Sequence, residues 1–391
     1  MKIIVASGDR FHAYALAKQL LQRHALQRLY TFNYTANDAQ RVPSPLVNHD
    51  KLCALLNTLY QKARLSRLIN RTSFNSFKDR LFERNLVAAL AKENSFDLFV
   101  CWSGFLHDTL PIARNKGAKV ILETGSCHTD EQEALIKHEY DRYGLTIKSH
   151  DKKRQAQARL EYDEADLIMT PSLFVKESFI KRGFAPKKIA VAPYGVDTSF
   201  FSPAKQIPPL GKKFTLLFVG MVSLQKGLHY LLHAWQKAAL PIDQAKLVLV
   251  GALQKDFLLV KNKLPIAGNV IFAGGITREA LKKQYQTASA FVLPSVQEGL
   301  AMVIGEAMAS GLPVIASTHT GAQNLITPGE TGLLYHPYAI DSLAGHIRWC
   351  YENSEAAALM GKQAHQHIQA FSWDAYGKLV FESYKQLVGH E

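Results

Sequence analysis

The stretch from Ala290 to Ala316, AFVLPSVQEGLAMVIGEAMASGLPVIA, limits the fold more than any other. Its first four residues form a short, continuous apolar run bounded by Pro294 and Ser295, the pattern of a strand buried on both faces. A polar turn, Ser295 to Gly299, follows. Ala301, Met302, Val303, Ile304, Ala307 and Met308 then predict a mostly apolar helix that Gly311 and Pro313 end. Val314 to Ala316 starts another strand. Strand, loop, helix, strand is a parallel crossover unit, and its loop lies at the carboxyl edge of a sheet. Open α/β folds bind ligands at that edge.

A helix start exposes unpaired backbone N–H groups and a partial positive charge. The N–H groups of Gly299, Leu300, Ala301, Met302 and Val303 are therefore expected to hold a diphosphate. Glu298 and Glu306, eight positions apart, suit different parts of one long ligand, a sugar hydroxyl and a ribose diol. The same spacing also suits a plain helix cap and a solvent-facing carboxylate.

The pattern recurs along the chain. Strands are expected at Lys2–Ala6, Arg28–Phe32, Asp97–Trp102, Ala118–Glu123, Asp166–Thr170 and Lys188–Pro193. The second half restarts it at Thr215–Val219, Leu247–Val250, Val270–Ala273, Ala290–Leu293, Val314–Ala316 and Gly332–Tyr335. Helical segments separate these runs, which predicts an α/β fold of two Rossmann-like, doubly wound parallel-sheet domains. Pro203, Pro208, Pro209 and Gly211 punctuate the chain between the halves, so domains are expected at 1–205 and 206–371, with a last helix over 372–391.

The 391 residues are enough for two real cores. No apolar stretch approaches the roughly 20 residues that span a bilayer. Ser7-Gly-Asp-Arg10 interrupts the first apolar run too early for a signal peptide. Four scattered cysteines suggest free thiols in a reducing cytoplasm. A net charge of +13 favours an anionic partner. Much of that charge lies in 51–92, where Lys51, Lys62, Arg64, Arg67, Arg71, Lys78, Arg80, Arg84 and Lys92 interleave with Leu and Phe. This is the composition of a helix lying on an anionic membrane surface; it equally describes an amphipathic insertion packed on its own domain. Nucleic acid is not expected, since no recognised binding motif accompanies the charge.

Further candidate loops follow the strands. Ser7 to His12, with Gly8, opens a helix and can present N–H groups. Gly220-Met-Val-Ser-Leu-Gln-Lys-Gly227 places Lys226 near a helix start, where a phosphate is suited. His128 lies just past a buried strand; Cys127 beside it is not read as a nucleophile, because neighbours at a strand end point apart.

Taken whole, PSVQEGLAMVIGEAMASGLPVIAS resembles the paired-glutamate motif of the retaining family-4 glycosyltransferases of the GT-B fold. Pro193-Tyr-Gly-Val-Asp197 resembles the same family's run into its interdomain linker. The likeness covers nearly the whole chain, most closely after residue 159. It implies transfer of a sugar from a nucleotide diphosphate sugar to an acceptor hydroxyl, with anomeric configuration retained. It implies catalytic roles for His128, Lys226 and Glu298, with His128 contacting the donor sugar. By the same likeness Gly8 is expected near the acceptor and the donor phosphates, Gly220 and Met221 in the phosphate loop, Gly274 at the base pocket, and Glu306 on the ribose. The basic first domain suggests, separately, a lipid-linked or saccharide acceptor, a lipid diphosphate or another anionic one, at the cytoplasmic membrane face in a polysaccharide pathway. Met221 stands where the family commonly has an arginine. No metal cofactor is expected, because no Asp/His set is clustered. A nucleotide-sugar epimerase of the same fold and a non-catalytic nucleic-acid-binding protein are the alternatives.

Overall fold

In a computed structural model, residues 1–8, 12–62, 70–104, 106–146, 152–204 and 213–389 are described. Two all-parallel sheets organise them. The first contains β1 (Ile3–Ala6), β2 (Leu26–Thr31), β3 (Val47–His49), β4 (Leu98–Trp102), β5 (Lys119–Glu123), β6 (Leu167–Thr170) and β7 (Ile189–Val191), in the order β3-β2-β1-β4-β5-β6-β7. Its helices are α1 (Ala13–Gln22), α2 (Lys51–Lys62), α3 (Arg71–Leu90), α4 (Leu110–Asn115), α5 (Thr129–Arg142), α6 (Lys152–Glu164) and α7 (Leu173–Ile180).

The second half runs β8 (Phe214–Val219), α8 (Leu228–Ala238), β9 (Ala245–Val250), α9 (Lys255–Val260), β10 (Val270–Gly274), α10 (Arg278–Thr287), β11 (Ala290–Leu293), α11 (Met302–Ala309), β12 (Val314–Ser317) and β13 (Leu333–Tyr335). Its sheet order is β10-β9-β8-β11-β12-β13. Helices α12 (Ile340–Glu352), α13 (Ser354–Ile368) and α14 (Trp373–Val388) end the chain. This is the two-domain GT-B architecture.

Strands β1, β4, β6, β8, β11 and β12 are buried on both faces, as their unbroken apolar runs require, while the edge strands β3, β7, β10 and β13 are partly exposed. In β1, Ile3 and Val5 join one core while Ile4 and Ala6 join another, the two-residue alternation of a strand. The short edge strand β3 has no counterpart among the expected strands. Its sequence, Val47-Asn-His49, has neither length nor alternation. The segment expected at Lys188–Pro193 shortens to β7, because Pro186 to Lys188 form a single 3-10 turn.

Strand order reverses between β1 and β4 in one sheet and between β8 and β11 in the other. The loops leaving those strands diverge above the sheet edge and open a crevice. The two halves are also tied together. Ser372 Oγ caps α14 by accepting from the Ala375 N–H at 3.1 Å. That helix then returns to α1, where Arg23 pairs with Asp374 at 3.0 Å and a Cβ on Gly377 would overlap the Gln19 side chain.

The basic segment forms two helices with an inward apolar face. Phe82, Leu86 and Leu90 are buried in the first domain's core. Lys78 is buried too, its ammonium 4.3 Å from the Phe32 ring centroid. The expected interleaving at Arg64 to Ile69 lies outside the described residues, as do Pro208, Pro209 and Gly211.

Candidate functional site

Two loops of the second half meet at the β8/β11 switch point. The first, Gly220 to Gly227, leaves β8. Gly227 N-caps α8 at φ 68°, and a Cβ there would overlap the Pro294 carbonyl, so only glycine lets this loop lie against the end of β11. The second runs from Pro294 to Ala301. The two are stitched together where the Val296 N–H donates to the Gln225 carbonyl at 2.9 Å.

Lys226 and Glu298, 72 residues apart in sequence, thereby meet in a direct ion pair, Nζ to Oε1. Ser295 Oγ donates to the same Glu298 oxygen at 3.0 Å. Helix α11 starts four residues beyond Glu298. Among the described residues, the N–H groups of Gly299, Leu300, Met302 and Val303 have no backbone partner. Ala301 departs from the expectation: its N–H donates to the Thr320 carbonyl at 3.2 Å. Four amides rather than five are therefore uncommitted beside Lys226. Gly220, at φ 151°, brings its backbone near the Lys226 stem, and the Met221 side chain is exposed. Gly274 closes β10 at φ 69° with open space around its Cα.

Glu306 is half-buried on α11. Burial raises its pKa above the ordinary carboxylate range, opposed by the hydrogen bond that Tyr285 OH donates at 3.0 Å. It lines a cavity of about 530 Å³ between the halves, together with His12, Lys18, Arg41, Asp197, Arg278 and Trp373. Arg278 pairs with Asp197 at 2.6 Å in its wall.

A second cavity of about 530 Å³ lies at the carboxyl edge of β4 and β5. It is lined by hydroxyls and amides, by the rings of Trp102 and Tyr162, and by Asp79, Glu123 and Glu133 against Arg154. Arg154 itself faces Asp79 at 3.9 Å. The two cavities adjoin through one bond, in which His12 Nε2 lies 2.9 Å from Glu123 Oε2. Tyr384 of the returning α14 donates to the other Glu123 oxygen at 3.2 Å.

His128 corrects the expectation of a donor-sugar contact. It N-caps α5, its Nδ1 accepting from the Asp130 N–H at 3.2 Å. Its buried ring packs among Tyr162, Phe179 and Phe184, and lines neither cavity. Burial lowers its pKa, so it is a neutral cap. The histidine between the cavities is His12. Its place in the loop after β1 is a signal the sequence carries, since the candidate loop read there for its N–H groups runs from Ser7 to His12 itself. Gly8 itself is buried, and its carbonyl accepts from Asn33 Nδ2 at 3.2 Å; the neighbouring 9–11 lie outside the described residues. Cys127 is buried, and burial pushes its thiol up to about 12, which removes the thiolate a nucleophile needs.

The loops of the two halves touch. Ser172 Oγ donates to the Gly299 carbonyl at 2.6 Å, and a Cβ on Gly299 would overlap the Gly125 carbonyl. Gln297 Nε2 donates to Ser126 Oγ at 2.7 Å. Gln297 and Ser172 have no local sequence signal, because their roles depend on a partner more than 100 residues away.

Known proteins resemble this chain in sequence and in fold. The family Glycosyltransferase Family 4 matches residues 7–200, and Glycosyl transferases group 1 matches residues 202–367. A D-inositol 3-phosphate glycosyltransferase of Arthrobacter sp. (strain FB24) is 32% identical over 213 residues, 51% of this chain and 50% of that protein. A sulfoquinovosyl transferase of Arabidopsis thaliana is 26% identical over 229 residues, 56% of this chain and 44% of that protein. The chain spans about half the length of the curated relatives it matches. An Anabaena protein solved in complex with UDP-glucose superposes with a TM-score of 0.68 at 19% identity, over 99% of this chain and 100% of that one. At that identity the likeness shows the fold. Among the described residues, no helix is long and apolar enough to cross a membrane.

Proposed function

We infer that this chain, a GT-B protein whose first half belongs to Glycosyltransferase Family 4 and whose second half belongs to Glycosyl transferases group 1, moves a sugar from a nucleotide diphosphate sugar to an acceptor hydroxyl, with retention of anomeric configuration. The observation that carries the reading is the Lys226–Glu298 pair set beside uncommitted amides at the start of α11. As the glycosidic bond breaks, negative charge grows on the departing β-phosphate. An ammonium and fixed N–H groups placed there stabilise that charge as it develops, without reorganising. Glu298, held beside Lys226, accepts from sugar hydroxyls. Glu306 takes the ribose from the wall of the adjoining cavity. Because Lys226 and the amides supply the positive charge, the transfer is proposed to need no metal, and activity is expected to survive EDTA.

The acceptor enters from the cavity at β4 and β5. Its three carboxylates, one paired guanidinium and two aromatic faces suit the hydroxyls and apolar faces of a sugar and repel a phosphate. The reacting end of the acceptor is therefore a saccharide, and the surplus positive charge serves elsewhere. On α2, Leu52, Leu55 and Leu59 are exposed along one helical face, with Phe77 of α3 exposed as well. Lys51, Arg80 and Arg84 are exposed on the same two helices. Such a surface fits the anionic inner face of a cell membrane and a lipid-linked acceptor presented there. Co-sedimentation with anionic vesicles at low salt, lost when the three leucines become serine, is the expected result.

A thermal-shift screen with UDP, GDP and ADP identifies the donor base, and transfer is then assayed with the matching sugar donors. Turnover in Lys226→Ala and Glu298→Ala within about threefold of wild type, where loss of such a donor costs about 3 to 4 kcal/mol, would sink the assignment.

A further inference from the structure

The acceptor-side helix α5 contributes a carboxylate to the donor half. Glu139 is fully buried, and its Oε2 accepts two hydrogen bonds across the interface, from His229 Nε2 at 2.8 Å and Tyr230 OH at 2.9 Å. Both donors are buried in the first turn of α8. Burial lowers the His229 pKa, so the neutral ring donates its Nε2–H to the carboxylate. Arg142 lies 5.5 Å over the Tyr230 ring, and Tyr143 meets the His229 ring edge-on at 5.6 Å.

The next residue reaches the same loop from its other end. Burial and the neighbouring Asp256 carboxylate on α9 push the Tyr140 hydroxyl up to about 12, and Asp256 Oδ2 in turn accepts from the Leu224 N–H at 3.0 Å. Two consecutive residues of one helix thus hold both sides of the segment that carries Lys226. The helix also touches the partner loop, where Gln132 Nε2 donates to Gln297 Oε1 at 3.3 Å, one residue before Glu298.

Among the described residues Glu139 Oε1 is buried without a hydrogen-bond partner, so the two bonds to Oε2 are what offset the carboxylate's burial, and removing the carboxylate leaves both donors desolvated and unpaired. Seating α5 and making these two bonds are therefore one event, since the bonds from His229 and Tyr230 to Glu139 exist only while α5 lies against the first turn of α8. We propose that Glu139 is a positioning residue of the donor site: through His229 and Tyr230 it fixes the first turn of α8, and so the place of Lys226 against Glu298. The use of that loop for a diphosphate rests on the function proposed above; the clasp itself does not.

The test measures amide hydrogen exchange over 221–231 in the full chain, for wild type, Glu139→Ala and Glu139→Gln. Glutamine keeps an oxygen that both donors can reach. Exchange in that segment is expected to rise about tenfold or more in the alanine variant and to stay within about threefold of wild type in the glutamine variant. Inorganic pyrophosphate is the ligand probe, read by calorimetry. Its affinity is expected to fall about tenfold in Glu139→Ala, to recover in Glu139→Gln, and to be lost in Lys226→Ala. Should Glu139→Ala fail to fold, Tyr230→Phe removes one bond alone and is expected to raise exchange a few-fold. Unchanged exchange in the alanine or phenylalanine variant, or glutamine no better than alanine, overturns the proposal. If wild type binds no pyrophosphate, the donor-site reading fails, while the exchange comparison still decides the clasp.

Discussion

The two switch-point edges are built from the same topology with different materials. At β8 and β11 the chemistry is mostly main chain: glycines that let loops press together, amides at a helix start, and one ammonium beside one carboxylate. At β4 and β5 it is side chain: Asp79, Glu123, Glu133 and Arg154 around Trp102 and Tyr162. Main-chain amides recognise a diphosphate whatever it carries, because the groups they bond are shared by all such donors. Side chains are what can differ from one acceptor to another. On the function proposed here, the difference teaches that the donor half of the reaction would rest on backbone geometry and the acceptor half on side chains.

The strongest way to break this comparison is at the ammonium. Lys226→Ala is expected to lower kcat by about 10²- to 10³-fold with any acceptor; single-turnover kinetics with two unlike acceptors checks it, and a loss confined to one acceptor refutes the division.

Next in size is a pH effect confined to the acceptor half. Burial, opposed by the Asp108 N–H that donates to it at 2.7 Å, pushes the Glu83 carboxyl up to about 7 from its ordinary 4.5. A raised folded pKa means that the folded state holds the proton more tightly. Stability is then greatest below the unfolded value and is lost as pH rises toward 7, by about 3 kcal/mol. Urea denaturation from pH 4.5 to 7.5 should show that slope, flattened in Glu83→Gln.

A smaller effect is expected from Gly227→Ala. A Cβ at φ 68° that also overlaps the Pro294 carbonyl should cost about 2 kcal/mol. A melting temperature equal to wild type would show that the donor loops need no glycine there. The smallest change sharpens rather than breaks the contrast. Glu133→Gln should raise acceptor KM about fivefold, near 1 kcal/mol, and leave donor KM unchanged in the same assay.

Much of the donor edge is legible in the chain. Short apolar runs give parallel strands, and a glycine-bounded loop with Lys226 or with Glu298 announces itself locally. Its pairing is not legible, since nothing near Lys226 in sequence points to residue 298. His128 shows the limit of a positional argument. The strand end is placed correctly by pattern, yet the ring turns into Tyr162, Phe179 and Phe184, because aromatic packing outweighs exposure to a cleft. The basic segment shows another. Its spacing announces helices, but only packing decides that Lys78 is buried and Leu55 exposed.

The sequence alone determined the alternation of strands and helices, the parallel sheets and the loops that can approach an anion, because these follow from side-chain period and from what glycine permits. Tertiary structure decided which groups meet: Lys226 with Glu298, His12 with Glu123, and Glu139 with His229. Those contacts join residues 72, 111 and 90 positions apart. Their geometry is set by how two sheets and a returning helix pack, and local patterns carry no information about that.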